Sequence, residues 1–314
     1  MDMAELRQVM LSGELRIDEP MCRHTSWRTG GTAARAYFPT GLDDLAAFLS
    51  GLDPAEPVCF VGLGSNLLVR DGGIDGTVVF THGALRDVRI ENQADGSALL
   101  YAQAGVASPK VARVACTHHL RGAEFLAGIP GTLGGALAMN AGCYGSETWE
   151  IVDSVVTLSR RGSVRVRVRD EYDVGYRHVA LRGAGGQGAL AQEYFVAARL
   201  RLRAGDGEEG RRLIRQLLQK RIASQPLDQP NAGSVFRNPP GDHAARLIES
   251  CGLKGCTVGG AQVSPKHANF IVNLGNASAA DIEHLIEHVR RTVQVRCGVN
   301  LEREVRIVGR ERRE

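Results

Sequence analysis

A hydroxyl, a guanidinium and a carboxamide crowd one short stretch, "NAGSVFRNP", residues 231–239. A turn needs only Asn and Gly. Adding Ser234, with Arg237 and Asn238 close behind, fits a place where the backbone approaches a ligand. Two other stretches offer complementary groups. Arg177 closes "YDVGYR", where its planar fork could grip a carboxylate or could sit on the surface. Glu304 and Arg306 share one face of "LEREVRIVG" (301–309) if it is a strand of period two, with Leu301, Arg303, Val305 and Ile307 opposite. They are either a surface ion pair, which is common and weak, or the acid and cation of a site.

Two glycine-rich segments point to an anionic ligand. "VGLGSNLLVRDGG" (61–73) offers Gly62, Gly64, Ser65 and Asn66, whose clustered amides and short donors could cradle phosphate oxygens. The third glycine of G-x-G-x-x-G is Leu67 here, and no Gly-Lys-Ser/Thr follows, so neither standard nucleotide fingerprint is met. A glycine turn between strands is the alternative. "GIPGTLGGALAMNAGCYG" (128–145) is richer still. Thr132 can cap a short helix whose first turn, Gly134, Gly135 and Ala136, is bare enough to receive a pyrophosphate. Close helix–strand packing is the competing explanation.

The elements that must position these groups are readable from residue type and period. "VCFVG" (58–62), "TVVF" (77–80), "ALLYAQAG" (98–105), "IVDSVVTL" (151–158) and "YFVAARLRLR" (194–203) predict strands. "SVRVRVRD" (163–170) predicts a strand with one charged face. Helices are expected after Thr40, from an N-cap at Ser108 with Pro109 next, in "RRLIRQLLQKRIA", in "HAARLIES" and over 279–296. The composition shift at "AGDGEEG" (204–210) suggests a boundary near 205. That gives a first domain over 1–205, with lobes of about 1–75 and 76–205, and a C-terminal domain over 206–314.

Composition narrows the function classes. At 314 residues the chain suits two or three lobes, and a net charge of +3 with mixed signs argues against a nucleic-acid partner. Seven irregularly spaced Cys fit a reduced, cytoplasmic protein; the opening "MDMAELRQVM" predicts no secretory leader, and no run reaches the roughly 20 apolar residues of a membrane helix. "HLIEH" (284–288) matches a zinc-peptidase pattern. However, Ile282, Leu285, Ile286, Val289 and Val293 form an apolar stripe that puts His284, Glu287 and His288 on the solvated side, so no metal is expected.

Taken together, the motifs resemble the UDP-N-acetylenolpyruvoylglucosamine reductase family. "HTSWRTGG" (24–31), both glycine segments, "YDVGYR", "QPLDQPNAGSVFRNP", "AARLIESCGLKG", "GGAQVSPKHANFIVN" and "GVNLEREVRIVG" run in family order over about residues 22–309. The resemblance implies an α+β fold: a two-lobed FAD-binding domain of the vanillyl-alcohol-oxidase type, then a C-terminal α+β substrate-binding domain. It implies NADPH-dependent reduction of an enolpyruvyl UDP-sugar through non-covalent FAD, with no membrane insertion and no obligate protein partner. The catalytic positions fall on Ser234, Glu304 and Arg177. FAD contacts fall on Gly62, Gly64, Ser65 and Asn66, and on Gly128, Ile129, Pro130, Gly131, Gly134, Gly135, Ala136, Asn140 and Gly142. Arg221, Asn238 and Arg306 are the expected substrate grips. The family's usual serine two residues after the arginine is Val179 here. The few residues between Arg203 and Arg211 suggest the branch without an inserted tyrosine loop. The competing functions are a flavin oxidase of the same fold acting on an alcohol or sugar, and a non-enzymatic flavin- or nucleotide-binding module. Neither needs Arg177, Ser234 and Glu304 together.

Overall fold

The computed structural model describes residues 11–93, 98–183 and 193–312; the opening stretch read for a leader, residues 1–10, lies outside them. The first lobe is a four-stranded sheet in the spatial order Glu14–Pro20, Thr32–Phe38, Ile74–Phe80, Val58–Val61. Its first pair is antiparallel and the others parallel. Helix α1 (Leu42–Gly51) carries the chain from Thr32–Phe38 to Val58–Val61, which flank Ile74–Phe80 on its two sides. Leu45, Phe48 and Leu49 repeat at helical spacing and are buried, with Phe48 stacked on Tyr37 at 3.6 Å. The expected lobe boundary at 75 falls inside the strand Ile74–Phe80, whose residues as far as Phe80 pair with the first sheet.

The second lobe is built on an antiparallel sheet ordered Val164–Val168, Val152–Ser159, Glu193–Ala204, Ala98–Gln103, Val88–Asn92. Helices α2 (Ser108–Thr117), α3 (Leu133–Met139) and α4 (Gly207–Ser224) carry residues of its core cluster, Ile214 of α4 among them. So α4, which follows the expected boundary at 205, rests on the lobe before it. One expectation is corrected here, and the charged face expected in 163–170 is present, with Arg167 on it turned inward. The N-cap of α2 is Ala107; Ser108 is already helical, and its buried hydroxyl has no partner among the described residues. In the strand Val164–Val168 the valines face out, while Arg167 turns inward to a two-pronged contact with Glu193 at 2.7 Å. A carboxylate beneath the sheet edge outweighs the valines' preference for burial.

The C-terminal part sets a three-stranded antiparallel sheet, Thr257–Val258, Ala261–Val263 and Ile271–Asn273, against α5 (Ala244–Ser250) and α6 (Ala279–Cys297). The α6 stripe is buried, and His284 and His288 are exposed on the opposite side. Among the described residues no three His, Cys, Asp or Glu side chains are grouped to hold a metal, and no helix is long and apolar enough to cross a membrane.

The C-terminal part is tied to the first lobe by the motifs that carry the resemblance. The Trp27 indole donates to the Ile271 carbonyl at 2.8 Å, Thr29 to Ala277 at 2.7 Å, and Asn273 returns a bond to the Trp27 carbonyl at 2.8 Å. Asp71 accepts from the Ala279 and Ala280 amides at the start of α6, where a negative charge is favoured. Arg70 grips Glu283 with both prongs. The chain then returns: Arg306–Val308 pairs in parallel with Leu67–Val69, within the first glycine segment. "HTSWRTGG" and "VRDGG" are therefore joints between the lobe and the C-terminal part.

Candidate active site

A cleft of about 590 Å³, within the size range of small-molecule sites, opens where these parts meet. Both glycine segments line it, through Gly62, Gly64, Ser65 and Asn66 and through Gly128, Ile129, Pro130, Gly131, Gly134, Gly135, Ala136 and Gly142. Arg177, Arg221, Ser234, Glu304 and Arg306 line it too. Two expected contacts do not. The Asn140 carboxamide is buried and fully used, on Glu147, the Gly175 carbonyl and the Trp149 amide. The Asn238 side-chain oxygen accepts from the Ala244 amide and so starts α5.

The two glycine segments differ in what they leave free. In the first, none of the amides of residues 62–66 is engaged by another group among the described residues. Gly64 sits at φ +59°, and a Cβ there would lie 1.9 Å from the His24 carbonyl oxygen, so only glycine fits. Asn66 anchors the loop, donating to the Glu304 carbonyl at 3.1 Å and accepting from the Arg306 amide at 3.0 Å. This row of free amides beside the Ser65 hydroxyl is the cradle an FAD pyrophosphate would fit.

The start of α3 is not such a cradle, which corrects the sequence reading. Its first amides are already used: Leu133 donates to Val106 at 2.8 Å, Gly134 to Ala104 at 2.9 Å, and Gly135 to the Thr132 hydroxyl at 3.5 Å. Gly134 is a packing glycine, because a Cβ would meet the Ala104 Cβ at 2.8 Å. Gly135 has open space, its nearest neighbour being the Thr132 hydroxyl at 3.9 Å, and it faces the cleft.

The polar end is assembled from chain segments far apart in sequence. The amide of Glu304 donates to the Val235 carbonyl at 2.8 Å, and the Arg237 amide to Glu302 at 2.9 Å. This pairing sets Ser234 alongside Glu304. Gly233 and Phe236 donate to the Asn231 and Asn269 side chains, fixing the backbone on either side, while the Ser234 hydroxyl stays uncommitted among the described residues. The regular strand begins only at Arg306, so the expected strand over 301–309 is shorter; Glu304 is held by Val235 instead. Leu301 and Val305 are buried, whereas Glu304, Arg306 and Val308 face the cleft.

Arg177 arrives from the turn between Tyr172–Gly175 and His178–Leu181, and its Nε meets Glu304 Oε1 at 2.5 Å. Burial pushes the Glu304 carboxyl above its ordinary value, and the charges of Arg177 and then Arg237 pull it back. Arg221 contacts the Gly128 carbonyl and Gln225, and burial lowers its pKa. Neither Arg221 nor Arg306 has a carboxylate partner among the described residues, so the cleft carries positive charge suited to an anionic ligand.

Other lining residues had no signal in the sequence. Phe60 and Tyr194 stack at 3.9 Å across the two lobes, and Cys59 and Cys143 also line the cleft. Sequence period cannot report a pairing between separate lobes.

Comparison with known proteins agrees with this arrangement. A family model described as "FAD binding domain" matches residues 33–166, and one for the UDP-N-acetylenolpyruvoylglucosamine reductase C-terminal domain matches 225–308. The reductase of that name from Thiobacillus denitrificans is 56% identical over 309 residues, covering 96% of this chain and 94% of the relative. That from Methylococcus capsulatus is 59% identical over 291 residues, covering 93% and 92%. The chain belongs to the UDP-N-acetylenolpyruvoylglucosamine reductase family. A crystal structure of the reductase from Thermus caldophilus superimposes with a TM-score of 0.76 at 31% identity, over 94% of this chain and 98% of that one. An FAD-binding domain followed by the reductase C-terminal domain is thus the architecture, and the cleft lies between residues of both.

The two glycines give a paired prediction. Gly134→Ala lowers apoprotein stability by about 1–3 kcal/mol through overpacking, and leaves the loop cradle intact. Gly135→Ala raises apoprotein stability by up to about 1 kcal/mol through helix propensity, yet weakens FAD binding because its methyl enters the cleft. Thermal unfolding and flavin titration check both; an unchanged flavin affinity in Gly135→Ala contradicts the assignment.

Glu304 gives a pH prediction. Its folded pKa lies above the unfolded value, so the native state holds the proton more tightly, and this contribution is lost as pH rises from about 4.5 through the folded value. Over that window the unfolding free energy of Glu304→Gln therefore rises relative to the wild type. Urea titrations at several pH values measure the difference, and a flat difference refutes it.

Proposed function

We propose that this chain reduces the enolpyruvyl ether of UDP-N-acetylglucosamine to UDP-N-acetylmuramate in peptidoglycan precursor synthesis, in the cytoplasm, with NADPH as hydride donor and non-covalent FAD as carrier. The observation that supports it most strongly is the convergence of an uncommitted Ser234 hydroxyl with the Arg177–Glu304 pair in a cleft lined by a free-amide loop. Family membership supplies the reaction; the residues present fit its demands. FAD, when bound, supplies the hydride that adds to one carbon of the enolpyruvyl double bond. The amides of Gly62, Leu63, Gly64, Ser65 and Asn66, which have no protein partner among the described residues, would hold its pyrophosphate. The lining thiols Cys59 and Cys143 are both pushed up by burial, so thiolate for a covalent tether is scarce. Acid precipitation then leaves colourless protein.

The remaining chemistry belongs to side chains of this chain. The carbon beside the carboxylate gains carbanion character and needs a proton. A hydroxyl is a weak acid, but such a carbanion is a strong base, so Ser234 acts as general acid. Arg177, and Glu304 when it carries a proton, stabilise the enolate charge as it forms, since fixed donors in a desolvated cleft act strongly there. Arg221 and Arg306, lacking carboxylate partners, take the substrate's anionic groups. Val179, buried on the cleft wall, gives no polar contact where the family usually has a serine. The strand ending at Ala204 and the helix starting at Gly207 leave no inserted loop at that junction, which supports the shorter branch.

Ser234→Ala is expected to leave flavin reduction by NADPH nearly intact and to slow flavin re-oxidation by the enolpyruvyl substrate about 10²–10⁴-fold. Ser234→Cys recovers part of the loss, because a thiol still donates a proton. Stopped-flow traces of the two half-reactions are the check. Equal effects on both remove Ser234 from the proton transfer.

A further inference from the structure

We propose that Arg237 is a positioning residue: it clamps the turn carrying Arg177 from the side of the Ser234 segment, and so sets the place of Arg177 against Glu304. This rests on the reaction proposed above.

The turn needs a clamp. Gly175 and His178 pair across the hairpin, leaving Tyr176 and Arg177 as its two turn residues, and Arg177 sits at φ +53°. A long side chain in the left-handed region is strained and persists where its surroundings over-determine it. The guanidinium is fixed at one end by Glu304 and by the Asn140 and Gly142 carbonyls, at 3.3 and 3.5 Å. The backbone is fixed from the opposite side. Arg237 Nη2 donates to the Arg177 carbonyl at 3.3 Å, and the Asn238 amide donates to the Tyr176 hydroxyl at 3.4 Å.

Arg237 is itself held in place. Its amide donates to the Glu302 carbonyl at 2.9 Å, and its Nη1 lies 3.5 Å from the Glu302 carboxylate. Its Nε is buried and has no partner among the described residues. The same extended segment carries Ser234 and pairs with Glu304 through Val235. One short piece of backbone thereby fixes the hydroxyl, the carboxylate and, through Arg237, the turn of the arginine. Arg237 does not line the cleft, so it acts through Arg177 and not on substrate.

The test uses the holoenzyme with Arg237→Met and Arg237→Lys, each alone and combined with Arg177→Lys. Misplacing a catalytic group by about 1 Å can cost up to about 10²-fold. In Arg237→Met, flavin re-oxidation by the enolpyruvyl sugar nucleotide is expected to slow about tenfold or more, in kcat and not in KM, with flavin content and reduction by NADPH unchanged. Arg237→Lys recovers part of the rate, since an ammonium can still donate to the Arg177 carbonyl. In the Arg177→Lys background the Arg237 substitution is expected to cost less than about twofold, because residues acting through one another are not additive. An Arg237→Met enzyme as fast as wild type overturns the proposal, as does an equal loss in both backgrounds. If Arg237→Met loses its flavin, the same cycle run with Arg237→Lys decides. A wild type whose flavin is not re-oxidised by the sugar nucleotide sinks the reaction itself, a different result from a wild type that turns over and a variant that matches it.

Discussion

Arg177 and Glu304 lie 127 residues apart and meet at 2.5 Å, and most of the architecture bears on that contact. Neither group could be held there by its own element. Arg177 stands on a two-residue turn, and Glu304 on backbone that is not yet a regular strand. A buried ion pair is stable only when its geometry is good and its remaining hydrogen-bonding capacity is met. Here the geometry comes from outside: from Val235 and Asn66 on the Glu304 backbone, and from the Asn140 and Gly142 carbonyls on the guanidinium. The docking of the C-terminal part on Trp27, Thr29, Arg70 and Asp71 makes those partners coincide.

The same constraint sorts the glycines by task. Gly64 lets the first loop turn under His24 and leaves a row of amides unclaimed. Gly134 lets α3 lie against Ala104, with its amides already bonded to the neighbouring backbone. Identical in type, one leaves amides open to the cleft and the other makes room for protein. The positive cleft follows from a similar division. Arg167 and Arg70 are neutralised by carboxylates, whereas Arg221 and Arg306, both lining the cleft, have no carboxylate partner among the described residues.

Much of this was legible before the fold. The strands around 58–61, 74–80, 152–159 and 193–204 and the stripe of α6 follow directly from period and residue type, because burial on one face imposes it. The motifs carrying Ser234, Glu304 and Arg177 stood out by residue type, and all three residues line one cleft. What period could not convey was contact between distant segments. Asn140, a flavin contact by resemblance, and Asn238, an expected substrate grip, do not line the cleft; both carboxamides hold backbone, one at the end of α3 and one at the start of α5. The outward valines of residues 164–168 depend on Glu193, a partner nearly thirty positions away. Arg237 looked like one more polar residue near a serine until the turn it reaches was in view.

The most direct measurement is the absorbance of the purified protein near the flavin band under anaerobic conditions. The account predicts a yellow protein that bleaches when NADPH is added and regains its colour, one flavin per sugar nucleotide, when the enolpyruvyl ether of UDP-N-acetylglucosamine follows. A flavin that bleaches but is restored only by oxygen, with the sugar nucleotide inert, would contradict it.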